Sequence, residues 1–123
     1  MNAVLWVAQS LLAAAFLAIG GMKLVRTRAQ VAAVFAWAAD FSDASVKALG
    51  VLEALVAVGL VLPAAVDIAP VLVPVAAIGG LALATGGSVV HLRRSETPLA
   101  AMNLVYIVLL GLVVWGRFGP YHF

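Results

Sequence analysis

The sequence predicts an all-α fold, a four-transmembrane-helix bundle with a cytoplasmic amphipathic segment between helices 1 and 2. Three observations carry this. Of 123 residues, 66% are hydrophobic and only 10% are charged, against roughly 25% charged in ordinary soluble proteins. The apolar residues fall into four runs, each near the roughly 20 residues that a helix needs to cross the hydrocarbon layer. With a mean hydropathy of +1.19, so short a chain has no way to hide its apolar surface from water, because small domains bury the smallest share of what they have. The length holds one domain, 1–123, and no repeat or linker divides it.

The first span runs over about 3–24. It reads as a retained helix and not as a secretory leader: no Lys or Arg precedes it, its apolar run is too long, and its positive charges follow it. Residues 25–41 form the one long connection. There Val31, Val34, Phe35 and Trp37–Ala38, set against Arg28, Gln30 and Asp40, predict an amphipathic interfacial helix. Ser42 or Asp43 caps the second span, 43–62, which is expected to stop at Pro63. The third covers 68–92, with Pro70 in its opening turn and a kink at Pro74. Thr97 as N-cap and Pro98 at the first helical position open the fourth, 98–118.

Charge sets the orientation. The connections after spans one and three, with their flanks, hold Lys23, Arg26, Arg28, Lys47, Arg93 and Arg94, while the other side holds Arg117 and Asp67. Six bases against one follow the positive-inside bias, so both termini are expected outside a multi-pass protein of the cell (inner) membrane. Trp6, Trp37 and Trp115 fit interfacial belts. Arg93, Arg94 and Glu96 read as a solvated turn.

Several chemistries are excluded. Without cysteine there is no disulfide framework, thiol relay, iron–sulfur cluster or thiolate zinc site. One histidine and one carboxylate in the same half of the bundle fall short of the ligands zinc requires, so no metal is expected. The bases form no patch interleaved with aromatics, which argues against nucleic acid as a partner.

The informative residues are polar groups inside apolar runs, because ionisable side chains in a membrane are expensive and mark functional sites or partner charges. Glu53 lies within Val46–Leu62. Helical side chains lean toward the N-terminus of their helix, so Lys23, closing span one, and Glu53, on the returning span two, lean toward each other. By the same geometry His91 leans inward to meet Asn103 on span four, with Tyr106 one turn beyond. Gly50–Glu53–Ala57 and Gly80–Ala84–Gly87–His91 form small-residue stripes that let membrane helices approach closely. Each helix thus supplies a polar group to one half of the bundle. Structural readings stand beside this: an ion pair pinning two helices, a snorkelling Lys23, an interfacial His91, and Asn103 as interhelical glue.

At these residues the chain resembles the DoxX-like family of small four-helix integral membrane proteins. The matching features are Gly20–Gly21–Met22–Lys23, Trp37–Ala38–Ala39–Asp40–Phe41, Gly50–Val51–Leu52–Glu53, Leu62–Pro63, His91–Leu92–Arg93–Arg94–Ser95–Glu96, Asn103–Leu104–Val105 and Gly116–Arg117–Phe118, in that order over nearly the whole chain. The resemblance implies a partner of quinone-linked redox systems, the namesake group being associated with a terminal quinol oxidase and thiosulfate:quinone oxidoreductase of thermoacidophilic archaea. The thiol chemistry of cysteine-containing relatives does not carry over. The leading expectation is therefore a quinone-linked redox accessory component with no intrinsic cofactor, a bound quinone, and catalytic roles for Glu53, His91 and Lys23 beside ligand-binding Asn103 and Tyr106. The expected partners are the lipid bilayer and other membrane or redox subunits, or a second copy of the chain. A non-enzymatic assembly subunit and a small lipophile-binding protein are the alternatives.

Overall fold

The computed structural model describes residues Met1–Phe123 and is helical throughout, with no strand. Five α-helices are joined by short turns: α1 (Asn2–Val25), α2 (Arg28–Val34), α3 (Asp43–Ala65), α4 (Leu72–Arg93) and α5 (Thr97–Phe118). A 3-10 turn, Ala36–Asp40, lies between α2 and α3. The helices α1, α3, α4 and α5 are the four that are long and apolar enough to cross a membrane. They close a ring in which α1 packs on α3, α3 on α4, α4 on α5 and α5 back on α1.

A core of Leu12, Phe16, Leu60, Val73, Ala77, Leu110 and Val113 fills the ring. Residues on the outside are as apolar as those within: Val7, Leu11, Leu55, Leu104 and Val108 are all about half exposed or more. In water such a surface would drive aggregation, whereas in lipid it costs nothing. The loops at one end carry Arg26, Arg28, Arg93 and Arg94, and we call this the basic end; Met1, Asp67 and Phe123 lie at the other, the terminal end.

Several boundaries differ from the sequence expectation for local reasons. The connection forms two short pieces in place of one helix. Thr27 and Gln30 make a reciprocal capping box that starts α2, and the extended backbone at Phe35 ends it. The following turn tucks Trp37 and Ala38 against Val31 and Val46, while Val34 stays exposed. Ser42 caps α3 through the Ser45 N–H. That helix does not stop at Pro63 but runs to Ala65, since a proline in the last turn forfeits a single bond before the helix ends.

The chain then turns through Asp67 and Ala69, both at positive φ, so α4 begins at Leu72 rather than 68. Pro74 becomes its third residue. First-turn N–H groups have no intrahelical acceptor, which removes the reason for a kink there. In α5 the helix starts one residue earlier than expected, with Glu96 as N-cap, Thr97 as first residue and Pro98 as second.

Candidate functional site

Two glycines determine where the polar groups meet. Gly20 on α1 and Gly50 on α3 touch through their backbones: a Cβ added to Gly20 would stand 2.8 Å from the Gly50 carbonyl oxygen, and one on Gly50 would stand 2.9 Å from the Gly20 carbonyl oxygen. Lys23 lies one turn past this crossing and Glu53 one turn past it on the antiparallel helix. Lys23 donates to Glu53 Oε1 in a buried ion pair, the residues 5% and 7% exposed. The ammonium also sits 4.9 Å from the centroid of the Trp37 ring, whose negative face attracts it. Trp37 is therefore buried beneath a charge and does not serve as an interfacial anchor. Lys47 donates to the carbonyls of Lys23, Leu24 and Arg26 at 2.7–2.8 Å, and so satisfies acceptors that the end of α1 would leave open.

His91 and Asn103 do not bond to each other as expected. Ser95, in the left-handed region, closes α4, and the Glu96 N–H returns to the His91 carbonyl at 2.8 Å. That turn folds Glu96 back, and His91 Nδ1 lies 3.1 Å from Glu96 Oε1. Glu96 also lies 3.4 Å from Arg94, which in turn pairs with Asp40 of the 3-10 turn. The turn between α4 and α5 is thus an ion-pair network and not simply solvated. Asn103 donates to the Ala84 carbonyl at 3.4 Å across Gly87, where a Cβ would stand 2.7 Å from its amide nitrogen.

All five residues that the sequence singled out, Lys23, Glu53, His91, Asn103 and Tyr106, line one cavity of about 410 Å³ toward the basic end. The rest of its wall is mostly hydrophobic, with the rings of Phe35, Trp37 and Phe41 under the connection and Phe16 deeper in the bundle. The Phe16 and Tyr106 rings meet at 6.0 Å. Met102 and Ala82, both exposed, stand on its rim, so it opens through the helix wall. Glu53 Oε2, His91 Nε2 and the Tyr106 hydroxyl have no protein hydrogen-bond partner, and none of them is fully enclosed. A volume within the usual ligand range, apolar and with a few convergent polar atoms, has the make-up of a small-molecule site.

Sequence reasoning passed over a second polar group at the terminal end. Gln9 is fully buried and donates from Nε2 to the Leu60 carbonyl at 2.7 Å, while its Oε1 accepts from Arg117 Nε at 2.8 Å. Gln9 interrupts an apolar run much as Glu53 does, and that signal was available. Its partner, Arg117, is 108 positions away.

Four apolar spans around a cavity with a charged wall define a polytopic helical membrane protein with a ligand-sized internal site. The profile of the DoxX-like family matches residues 7–113, and the chain belongs to that family. No curated protein and no solved structure matches it.

Proposed function

We propose that this protein binds a flat, lipid-soluble carbonyl compound of the quinone type in the central cavity, as an accessory component of a quinone-linked redox system. The observation that supports the reading is the wall itself: aromatic and apolar surface open toward lipid, with Glu53 Oε2, His91 Nε2 and the Tyr106 hydroxyl free to bond a guest. A quinone ring needs a hydrogen-bond donor at its carbonyls, and reduction to the quinol adds two electrons and two protons. In this reading Lys23, or His91 as an imidazolium beside Glu96, donates to a carbonyl, Glu53 passes protons, and Asn103 and Tyr106 orient the ring. The electrons come from a partner subunit or a soluble reductant.

The basic end is assigned to the cytoplasm on the charge bias, which puts both termini outside the inner membrane and the α2 segment on its cytoplasmic face. Cysteines introduced at Arg28 and Ser95 are expected to react with an impermeant reagent from the cytoplasm, and one at His122 from outside. Labelling of position 28 from outside would reverse the assignment.

A second reading, a scaffold subunit whose polar groups are structural, draws on the backbone contact at Gly20–Gly50 beside the ion pair. One titration separates the two. Trp37 lines the cavity, while Trp6 and Trp115 do not. A short-chain quinone is expected to quench Trp37 fluorescence in the wild type, and the quenching to disappear in Trp37→Phe. Glu53→Gln, although less stable, and His91→Ala are expected to assemble and still quench, yet to lose quinone-dependent turnover of the partner system. Failure of these variants to assemble, with no quenching in the wild type, favours the scaffold.

A further inference from the structure

At the terminal end of the bundle a buried charge has no counter-charge. Arg117, in the last turn of α5, is 3% exposed. Its hydrogen-bond acceptors are Gln9 Oε1 at 2.8 Å, Asn2 Oδ1 at 2.7 Å and the Tyr121 carbonyl at 2.9 Å, all of them neutral. None of the ion pairs in the protein involves it. Its Nη2 is enclosed and meets no acceptor. The Phe123 ring centroid, at 4.0 Å, and that of Trp6, at 5.7 Å, offset part of the charge, but a buried cation is otherwise stabilised only by an anion or by a full set of acceptors.

Beside Arg117 lies a pocket of about 550 Å³, lined by Asn2, Trp6, Tyr121, His122 and Phe123 among others, with no Asp or Glu side chain in its wall. We propose that this pocket is a binding site for a phosphate-type oxyanion, supplied by the headgroup of an anionic lipid. The guanidinium presents its donors as a planar fork that matches paired phosphate oxygens. One arm already holds Asn2 and the tail carbonyl, and Nη2, enclosed by protein, is the donor that no acceptor in the fold satisfies. The Asn2 amide, whose oxygen faces Arg117, keeps its Nδ2 for a second oxygen. Position favours the lipid as source. Arg117 sits where a membrane-spanning helix ends, at the depth of the headgroups, and Trp6 and Tyr121 give the pocket the amphipathic aromatic wall common at that level. The five residues after α5 fold over the site through the Tyr121 carbonyl and the Phe123 ring.

The test measures thermal stability and native mass spectra of the purified full chain in neutral detergent, with phosphatidylglycerol, phosphatidylcholine or inorganic phosphate added. Phosphatidylglycerol is expected to raise the melting temperature and to remain as a single adduct, and phosphatidylcholine to do neither. Arg117→Gln is expected to weaken phosphatidylglycerol binding by about tenfold or more, since a charge-assisted fork is replaced by neutral contacts. Arg93→Gln, an exposed arginine at the basic end, is expected to leave that binding unchanged. Stabilisation by inorganic phosphate alone, lost in Arg117→Gln, upholds the oxyanion site and assigns it to a free anion. Ala64→Leu keeps the guanidinium and narrows the pocket, and it is expected to lose the adduct even if Arg117→Gln does not fold. An adduct equally tight in the wild type and in the folded pocket variants, or no response of the wild type to either anionic probe, overturns the proposal.

Discussion

Glu53→Gln and Lys23→Met are each expected to destabilise the protein in detergent by about 3–5 kcal/mol, because each strands a charge that the fold has removed from solvent. The double variant is expected to lose less than the sum, and less than the worse of the two singles, since it leaves no lone charge. The geometry makes the coupling direct: Lys23 and Glu53 are each other's only charged partner, both are nearly inaccessible, and the neighbouring backbones are in contact. Thermal unfolding of the wild type, both singles and the double gives the interaction energy as a cycle. Strict additivity would mean that the two groups do not sense each other.

Replacing Gly20 or Gly50 by alanine is expected to cost about 1–3 kcal/mol, the usual range for forcing extra atoms into a filled interior. The clash at either position is with backbone: Gly50 O and Ala54 N at 2.8 and 3.0 Å for Gly20, and Gly20 O at 2.9 Å for Gly50. No rotamer change relieves it, so α1 and α3 must part and the ion pair must stretch. Gly21 and Gly111 provide the contrast. A Cβ at either meets nothing within 4 Å, and alanine there is expected to be neutral or to add a few tenths of a kcal/mol, up to about 1 kcal/mol, through helix propensity. If all four alanine variants melt alike, the close crossing does not position the site.

The parts of the fold that were legible in the sequence are those that the membrane dictates. Four spans follow from run length and hydropathy, and their ends shift by a few residues where local bonding decides. Pro63 and Pro74 show the limit: the residue type predicts a break, but its effect depends on whether the missing N–H falls in a turn that needs it. Lys23 and Glu53 were legible because a charge in an apolar run is rare and the lean of helical side chains gives a direction. Their juxtaposition with Trp37 was not, since it depends on how the 25–41 connection folds back. His91 pairs with Glu96 through a helix-closing turn at Ser95, a residue whose side chain gives little hint of a left-handed conformation. The Gln9–Arg117 bond joins the first and last spans, and nothing in either segment alone announces the other.

Quinone binding in the cavity is tested by mass spectrometry of lipids and quinones extracted from the protein purified in mild detergent. A quinone-type compound is expected to be retained by the wild type and depleted when the cavity is filled by Gly87→Leu, a position where the added side chain meets Asn103. Phospholipid alone in the wild-type extract, or the same quinone content in wild type and Gly87→Leu, would contradict that binding.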